Sequence, residues 1–175
     1  YTATDTAGNT VTCTFTITVV DMQTPTAVCK DITVNLSSTT NAGSVTVTAA
    51  QINGGSTDNC TAAASLVLAP ASTAYTCVNI GDNNITLTVT DAAGNTSTCV
   101  ATVTVKDVSA PVIVTCASNI TVNNCSSLVP NNIPQIVATD NCGVSTITQN
   151  PVAGTVVGIA NGNVLTITYT VTDAS

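Results

Sequence analysis

The chain has 175 residues and a formal net charge of −7, with 44% hydrophobic but only 6% charged residues. Its only basic side chains are Lys30 and Lys106, so there is no cationic patch to neutralise phosphates or anionic lipid. Nucleic-acid binding is excluded on that ground. No apolar run is long enough to cross a bilayer, which sets membrane insertion aside.

The hydrophobic content is too high for a disordered acidic chain. All nine acids are aspartates. Asp favours turns and caps, whereas Glu favours helix interiors. In chain order, the apolar residues of Thr14 to Val20 alternate with threonine, as in a strand. Asp31–Leu36, Ser44–Ala49, Ser65–Leu68, Asn84–Thr90 and Thr98–Val105 are β-branched and mostly of period two. Asn53-Gly-Gly-Ser56 and Asn79 to Asn84 read as turns. Asp91-Ala-Ala-Gly-Asn95 reads as a tight hairpin, with Gly94 free to take a positive φ. No segment has capped helical periodicity, so the predicted class is all-β.

The sequence repeats itself. Tyr1 to Cys13 reappears as Leu87 to Cys99 and begins again at Tyr169, with Asp5, Asp91 and Asp173 in matching places. Asp21 and Pro25 match Asp107 and Pro111. Ile32-Thr-Val-Asn35 matches Ile120-Thr-Val-Asn123, and Thr57-Asp-Asn-Cys60 matches Thr139-Asp-Asn-Cys142. A unit of a little over eighty residues suits a small β-sandwich. The expected organisation is 1–20 as the closing hairpin of one repeat, 21–107 as a whole repeat, and 108–175 as a repeat without its last strand.

These residues carry a resemblance. Val-Thr-Asp-x-x-Gly-Asn-x-x-x-Cys, followed by an alternating strand, Asp-x-x-x-Pro, Cys, Ile-Thr-Val and Thr-Asp-Asn-Cys, resembles the hyalin repeat (HYR) family over essentially the whole chain. The Thr-rich, Lys-poor version is similar to the tandem repeats of long surface adhesins of gliding bacteria. Cys29-Lys30 and Cys116-Ala117 stand where Cys-Pro is usual. The resemblance implies tandem immunoglobulin-like β-sandwiches with intradomain disulfides, in secreted proteins of the cell surface.

Eight cysteines without histidine or a CxxC pair point to disulfides rather than zinc. In the immunoglobulin-like topology that the resemblance implies, the first and last strands pair in parallel, which puts Cys29 beside Cys99. Cys60–Cys77 and Cys125–Cys142 are then the other expected bridges. The rival is pairing across the repeat boundary, Cys13–Cys29 and Cys99–Cys116.

The same topology brings together the incoming linker, the loop after the second strand and the last hairpin. That gathers Asp21, Asp58 and Asp91 at one pole, and Asp107, Asp140 and Asp173 at the next. Three converging carboxylates suit Ca²⁺, which takes oxygen ligands, so calcium is the candidate ligand. The bland alternative is that each Asp forms its own turn.

Catalysis is not expected. Histidine and glutamate are missing, no base stands beside the many hydroxyls, and an active site is rarely duplicated at every junction. Aromatic residues make up 2% of the chain, too few for a stacking platform. Phe15 and Tyr169, on alternating strand positions, are expected in the core. The expected function is a structural or adhesive stalk or filament segment of a large secreted surface protein, used in adhesion or surface gliding. Its candidate partners are neighbouring repeats, surface glycans and other copies of itself. The alternatives are a non-catalytic spacer on a secreted multidomain enzyme, and a subunit of a fibre completed by strand addition.

Overall fold

The computed structural model describes residues 1–36, 43–70, 72–122, 126–158, 160 and 162–173. The chain is all-β, and its helical segments among the described residues are single turns. Strands β1 (Thr2–Thr4) and β2 (Thr10–Thr12) form a hairpin. Then follow β3 (Ile32–Leu36), β4 (Ser44–Thr48), α1 (Ala49–Ile52), β5 (Val67–Ala69), β6 (Ser72–Thr76), β7 (Gly81–Thr90) and β8 (Thr96–Asp107).

Strands β3, β8, β7 and β5 lie in that order in one sheet, and β4 pairs with β6 in another. β3 runs parallel to β8, from Ile32 opposite Val103 to Leu36 opposite Asp107. Period-two alternation puts Ile85, Leu87 and Val89 of β7, and Ala101, Val103 and Val105 of β8, on one face. They share a buried core with Val47 and Tyr75 of the smaller sheet and with Ala49 and Ile52 of α1. The core is aliphatic and small-residue rich.

Local chemistry explains three departures from the expected elements. The strand expected over Ser44–Ala49 stops at Thr48, because Ala49-Ala-Gln-Ile52 are good helix formers. The Gln51 side chain accepts the Thr48 N–H at 2.7 Å to start the turn. Asn79 to Asn84 is not a turn throughout: the reversal is the 3₁₀ turn Cys77–Asn79, and Gly81 to Asn84 already belong to β7. There Thr104 Oγ1 donates to Asp82 at 2.7 Å, and the Asn83 amide donates to the carbonyls of Asn79 and Gly81. Strand β6 was not anticipated, since Tyr75 is its only large apolar residue.

Further on come β9 (Val112–Thr115), β10 (Ser126–Leu128), β11 (Val137–Thr139), β12 (Val144–Asn150), β13 (Val156–Gly158) and β14 (Thr168–Asp173). The pairing scheme of the earlier segment recurs. The Thr26–Thr57 bridge has its counterpart in β9–β11, where Val112 faces Thr139. β4–β6 corresponds to β10–β13, and β5–β7 to β12–β14.

One expected strand, and one segment that the repeat matches to a strand, are not strands among the described residues. Ile120 to Val122 is unpaired, although Ile32 to Val34 is part of β3. No strand equivalent to β8 lies beside it. Thr14 to Val20 is likewise outside any strand. Phe15, Ile17 and Val19 are 65%, 77% and 89% exposed, whereas their counterparts Ala101, Val103 and Val105 are buried. The expectation of Phe15 in the core is therefore corrected: without flanking strands to cover it, the ring is exposed and stacks on Tyr1, 5.8 Å between centroids. Tyr169 is half-buried on β14.

Candidate cation centres and junction cysteines

The site is built from one recurring turn. The Asp91 N–H donates to the Asn95 carbonyl, and the Gly94 N–H to the Asp91 carbonyl, with Gly94 at φ +93°. Asp91 accepts from the Asn95 backbone and side chain at 2.8 Å each. Asp5 and Asn9 make the same arrangement around Gly8 at φ +88°. The side chain of Asn95 also reaches the carbonyls of Asp21 and Gln23, which ties the incoming linker to this hairpin. Asp58 sits in the loop after the Thr26–Thr57 bridge and accepts the N–H groups of Cys60 and Thr61 at 2.9 and 2.8 Å.

Linker, loop and hairpin thus converge. Carboxylate oxygens of Asp21, Asp58 and Asp91 lie within 4.8 Å of one another, and those of Asp107, Asp140 and Asp173 do the same. Both sets are the ones expected from the sequence. Each aspartate named next divides its labour. One oxygen holds a turn: Asp21 accepts from Gln23, Asp107 from Ser109 and from the Asn141 amide, and Asp140 from Cys142. The other oxygen of Asp21, Asp58, Asp107 and Asp140 is buried with no hydrogen-bond donor. Turn formation accounts for the first oxygen and not for the second. A buried carboxylate oxygen without a partner is costly.

Hard oxygen donors without histidine or thiolate suit calcium or magnesium rather than zinc. Three carboxylates, with the nearby backbone carbonyls of the linker and water, match the six to eight oxygens that Ca²⁺ takes. The residues therefore fit such an ion.

Electrostatics at the first pole follow from this crowding. Burial pushes the Asp91 carboxyl up, but the hydrogen bonds from Asn95, Gly94 and Ala93 outweigh it and hold the group below the ordinary range. The Cys60 thiol beside the cluster is raised by desolvation and by the charges of Asp21 and Asp58. Asp5 carries the same turn in an exposed hairpin, where the Asn9 side chain is the chief cause of a lowered carboxyl. A depressed folded-state value makes the carboxylate's contribution present above the ordinary Asp range and lost as pH falls through the folded value. We expect the Asp5 carboxyl resonance to titrate below the usual midpoint, and the Asn9→Ala variant to return it upward. A midpoint unchanged by that substitution would contradict the assigned cause.

Among the described residues there are two disulfides. Cys29 is bonded to Cys99, with Cα atoms 5.7 Å apart. The parallel register explains it: three residues before the Ile32–Val103 pair, Cys29 falls level with residues 99–100. The cross-boundary pairs Cys13–Cys29 and Cys99–Cys116 are thereby excluded, and Cys13 and Cys116 are exposed free thiols.

The second bridge is Cys77–Cys142, and it corrects two expected pairs. Cys60–Cys77 fails on distance. Cys60 adjoins the aspartate cluster at the Thr90 end of β7, while Cys77 precedes its Gly81 end. Ten strand residues separate those ends by about 30 Å, far beyond the Cα spacing a disulfide allows. Cys125–Cys142 fails because Cys142 is occupied by Cys77; Cys125 itself lies outside the described residues. The bridge is therefore not internal to 21–107 but joins it to 108–175. The signal was present in the sequence: Thr139-Asp-Asn-Cys142 matches Thr57-Asp-Asn-Cys60, which places Cys142 at the pole facing the far end of the preceding unit.

The contact around this bridge is close. Cys77 Sγ lies 3.3 Å from the Asn141 carbonyl oxygen. Gly43, at φ +75°, approaches so nearly that a Cβ there would stand 3.1 Å from the same oxygen. Comparisons of the chain with family models, curated proteins and solved structures find no match. Among the described residues no helix is long and apolar enough to cross a membrane.

Proposed function

We propose that this chain is a structural segment of an extracellular stalk or filament, built from stacked immunoglobulin-like modules of hyalin-repeat kinship and stiffened at its junctions by calcium. The observation that carries this reading is the boundary near Asp107. There a carboxylate triad with buried, unpartnered oxygens stands two residues from a disulfide to the preceding segment. An enzyme has no use for such a site twice over, whereas a stack of modules needs one at every boundary. Short linkers that carry Pro25 and Pro111 leave the junction little slack. Two disulfides agree with an oxidising, extracellular setting.

When bound, the ion would neutralise the converging carboxylates and tie linker, loop and hairpin together. Asp21, Asp58 and Asp91 would hold one ion, and Asp107, Asp140 and Asp173 the other. Calorimetric titration of the intact chain with CaCl₂ is expected to show two sites with Kd of about 0.1–1 mM, the range of extracellular modules. Asp58→Asn and Asp140→Asn should each abolish one site and leave the other. In the tight half of that range, 10 mM Ca²⁺ would stabilise the fold by about 2.7 kcal/mol per site. No heat at millimolar calcium, together with an unchanged melting temperature, would remove the cation from the reading. Small-angle scattering then tests the stack itself. Combining Cys77→Ser with EDTA is expected to broaden the distance distribution, and an unchanged distribution would mean that the junction owes its rigidity to neither device.

A further inference from the structure

We infer that Cys60 is the docking point for a disulfide from another module, whose partner thiol is a cysteine placed as Cys77 is, on the turn that corresponds to the one between β6 and β7. The inference rests on the stacking reading above and names the partner of the pole around Asp21.

The argument is a comparison within one molecule. Cys60 and Cys142 close the same Thr-Asp-Asn-Cys sequence. In both, the preceding aspartate accepts the cysteine N–H, from Cys60 to Asp58 at 2.9 Å and from Cys142 to Asp140 at 2.8 Å. In both, the asparagine amide points at the sulfur, Asn59 at 3.3 Å and Asn141 at 3.2 Å. Each stands beside its own aspartate triad. Two sulfurs in one local frame differ in a single respect. Cys142 is bonded to Cys77, beside Gly43, which closely approaches the neighbouring Asn141, whereas Cys60 is an exposed free thiol.

The occupied pole thus displays what the open pole accepts: a cysteine on a 3₁₀ turn, with a glycine close enough to reach the asparagine carbonyl. The other free thiols offer no such template. Cys13 and Cys116 correspond in sequence to Cys99 and Cys29, which bond to each other within the segment 21–107. At the position of Cys77 the segment 108–175 carries Ile159. The coupling is thus directional: a 21–107 unit offers both an acceptor, Cys60, and a donor, Cys77.

Bond formation needs a disulfide as oxidant, and a small one such as oxidised glutathione suffices. The Cys60 thiolate attacks it, forming the mixed disulfide and releasing one glutathione thiolate. The incoming cysteine thiolate then attacks Cys60 Sγ, forming the protein disulfide and releasing the second. Two protein thiols are oxidised, one disulfide is reduced to two thiols, and the protons lost by the cysteines are taken up by glutathione.

The test is a chain in which the whole unit is duplicated in register, residues 1–107 followed directly by 22–175, so that Asp107 takes the place of Asp21. It is folded in a glutathione redox buffer with EDTA, alkylated and mapped by non-reducing peptide mass spectrometry. The expected result is Cys77 of the first copy bonded to Cys60 of the second. The number of alkylated thiols would then equal that of the parent chain. A disulfide-linked ladder on a non-reducing gel would place the partner on a second molecule, and a single band would place it in the same chain. If both copies form Cys29–Cys99 but the second Cys60 remains alkylated, the docking proposal is overturned while the modules stand. If the added copy fails to form its own Cys29–Cys99 bridge, the module reading falls and takes the proposal with it. Cys60→Ser in the second copy should leave Cys77 of the first alkylated, which ties the signal to that sulfur.

Discussion

Replacing Cys29 and Cys99 together by serine is expected to lower the unfolding free energy by about 4 kcal/mol. The bridge closes a sequence separation of 70 residues, and the chain-entropy model makes a loop of that length costly to close without a covalent link. It also stands next to the start of the only parallel pairing among the described strands, β3 on β8. That pairing must otherwise be assembled from residues distant in sequence, with the closure entropy set against only five register pairs. Urea denaturation under matched buffer conditions is the measurement. A midpoint equal to that of the parent would show that strand pairing alone fixes the loop.

The second large effect is expected from Leu87→Ala. Leu87 is fully buried at the centre of β7, among Val47, Tyr75, Ile85, Val89, Ala101 and Val103. The core has a single aromatic ring and small neighbours, so little can shift to fill the space left behind. A loss of about 3–4 kcal/mol is expected, from lost transfer energy together with the cavity. Leu87 faces Cys99 in the β7–β8 register, so its effect and that of the disulfide should not be additive. Both changes together approach the whole stability of an ordinary domain. A loss below about 1 kcal/mol for Leu87→Ala would mean that the two sheets do not share a packed interior.

What could be read in advance divides along a physical line. Recurrent features were legible because each was written more than once. The Asp91–Asn95 hairpin is announced by Asp5–Asn9. The six aspartates at the poles form two matching sets, and the structure draws each set together. The parallel pairing that brings Cys29 to Cys99 followed from a topology implied by resemblance. Features that depend on relations between units were misread. Cys77 has no repeated counterpart and was assigned to the nearest spare cysteine in its own unit. Strand length was missed where polar residues join the ladder: Asn83 satisfies its side chain locally, and Asp82 accepts from Thr104 on the neighbouring strand. Phe15 was misplaced because burial depends on neighbours as well as on pattern: the alternation that buries Val103 leaves Ile17 exposed where no sheet covers it.

The parallel register of β3 and β8 has a mechanical consequence. Tension applied at the start of β3 and the end of β8 pulls the two strands along their length in opposite directions. All of their shared hydrogen bonds then resist at once, instead of opening one after another as in a peeled hairpin. Should the pair slip, the Cys29–Cys99 link still shields the enclosed chain, whose extended length is about 240 Å. Only the short arms outside it can lengthen. Tethered between a moving surface and a fixed one, such a unit would behave as a nearly inextensible link, and chemical reduction would turn it into a shock absorber that pays out chain under force.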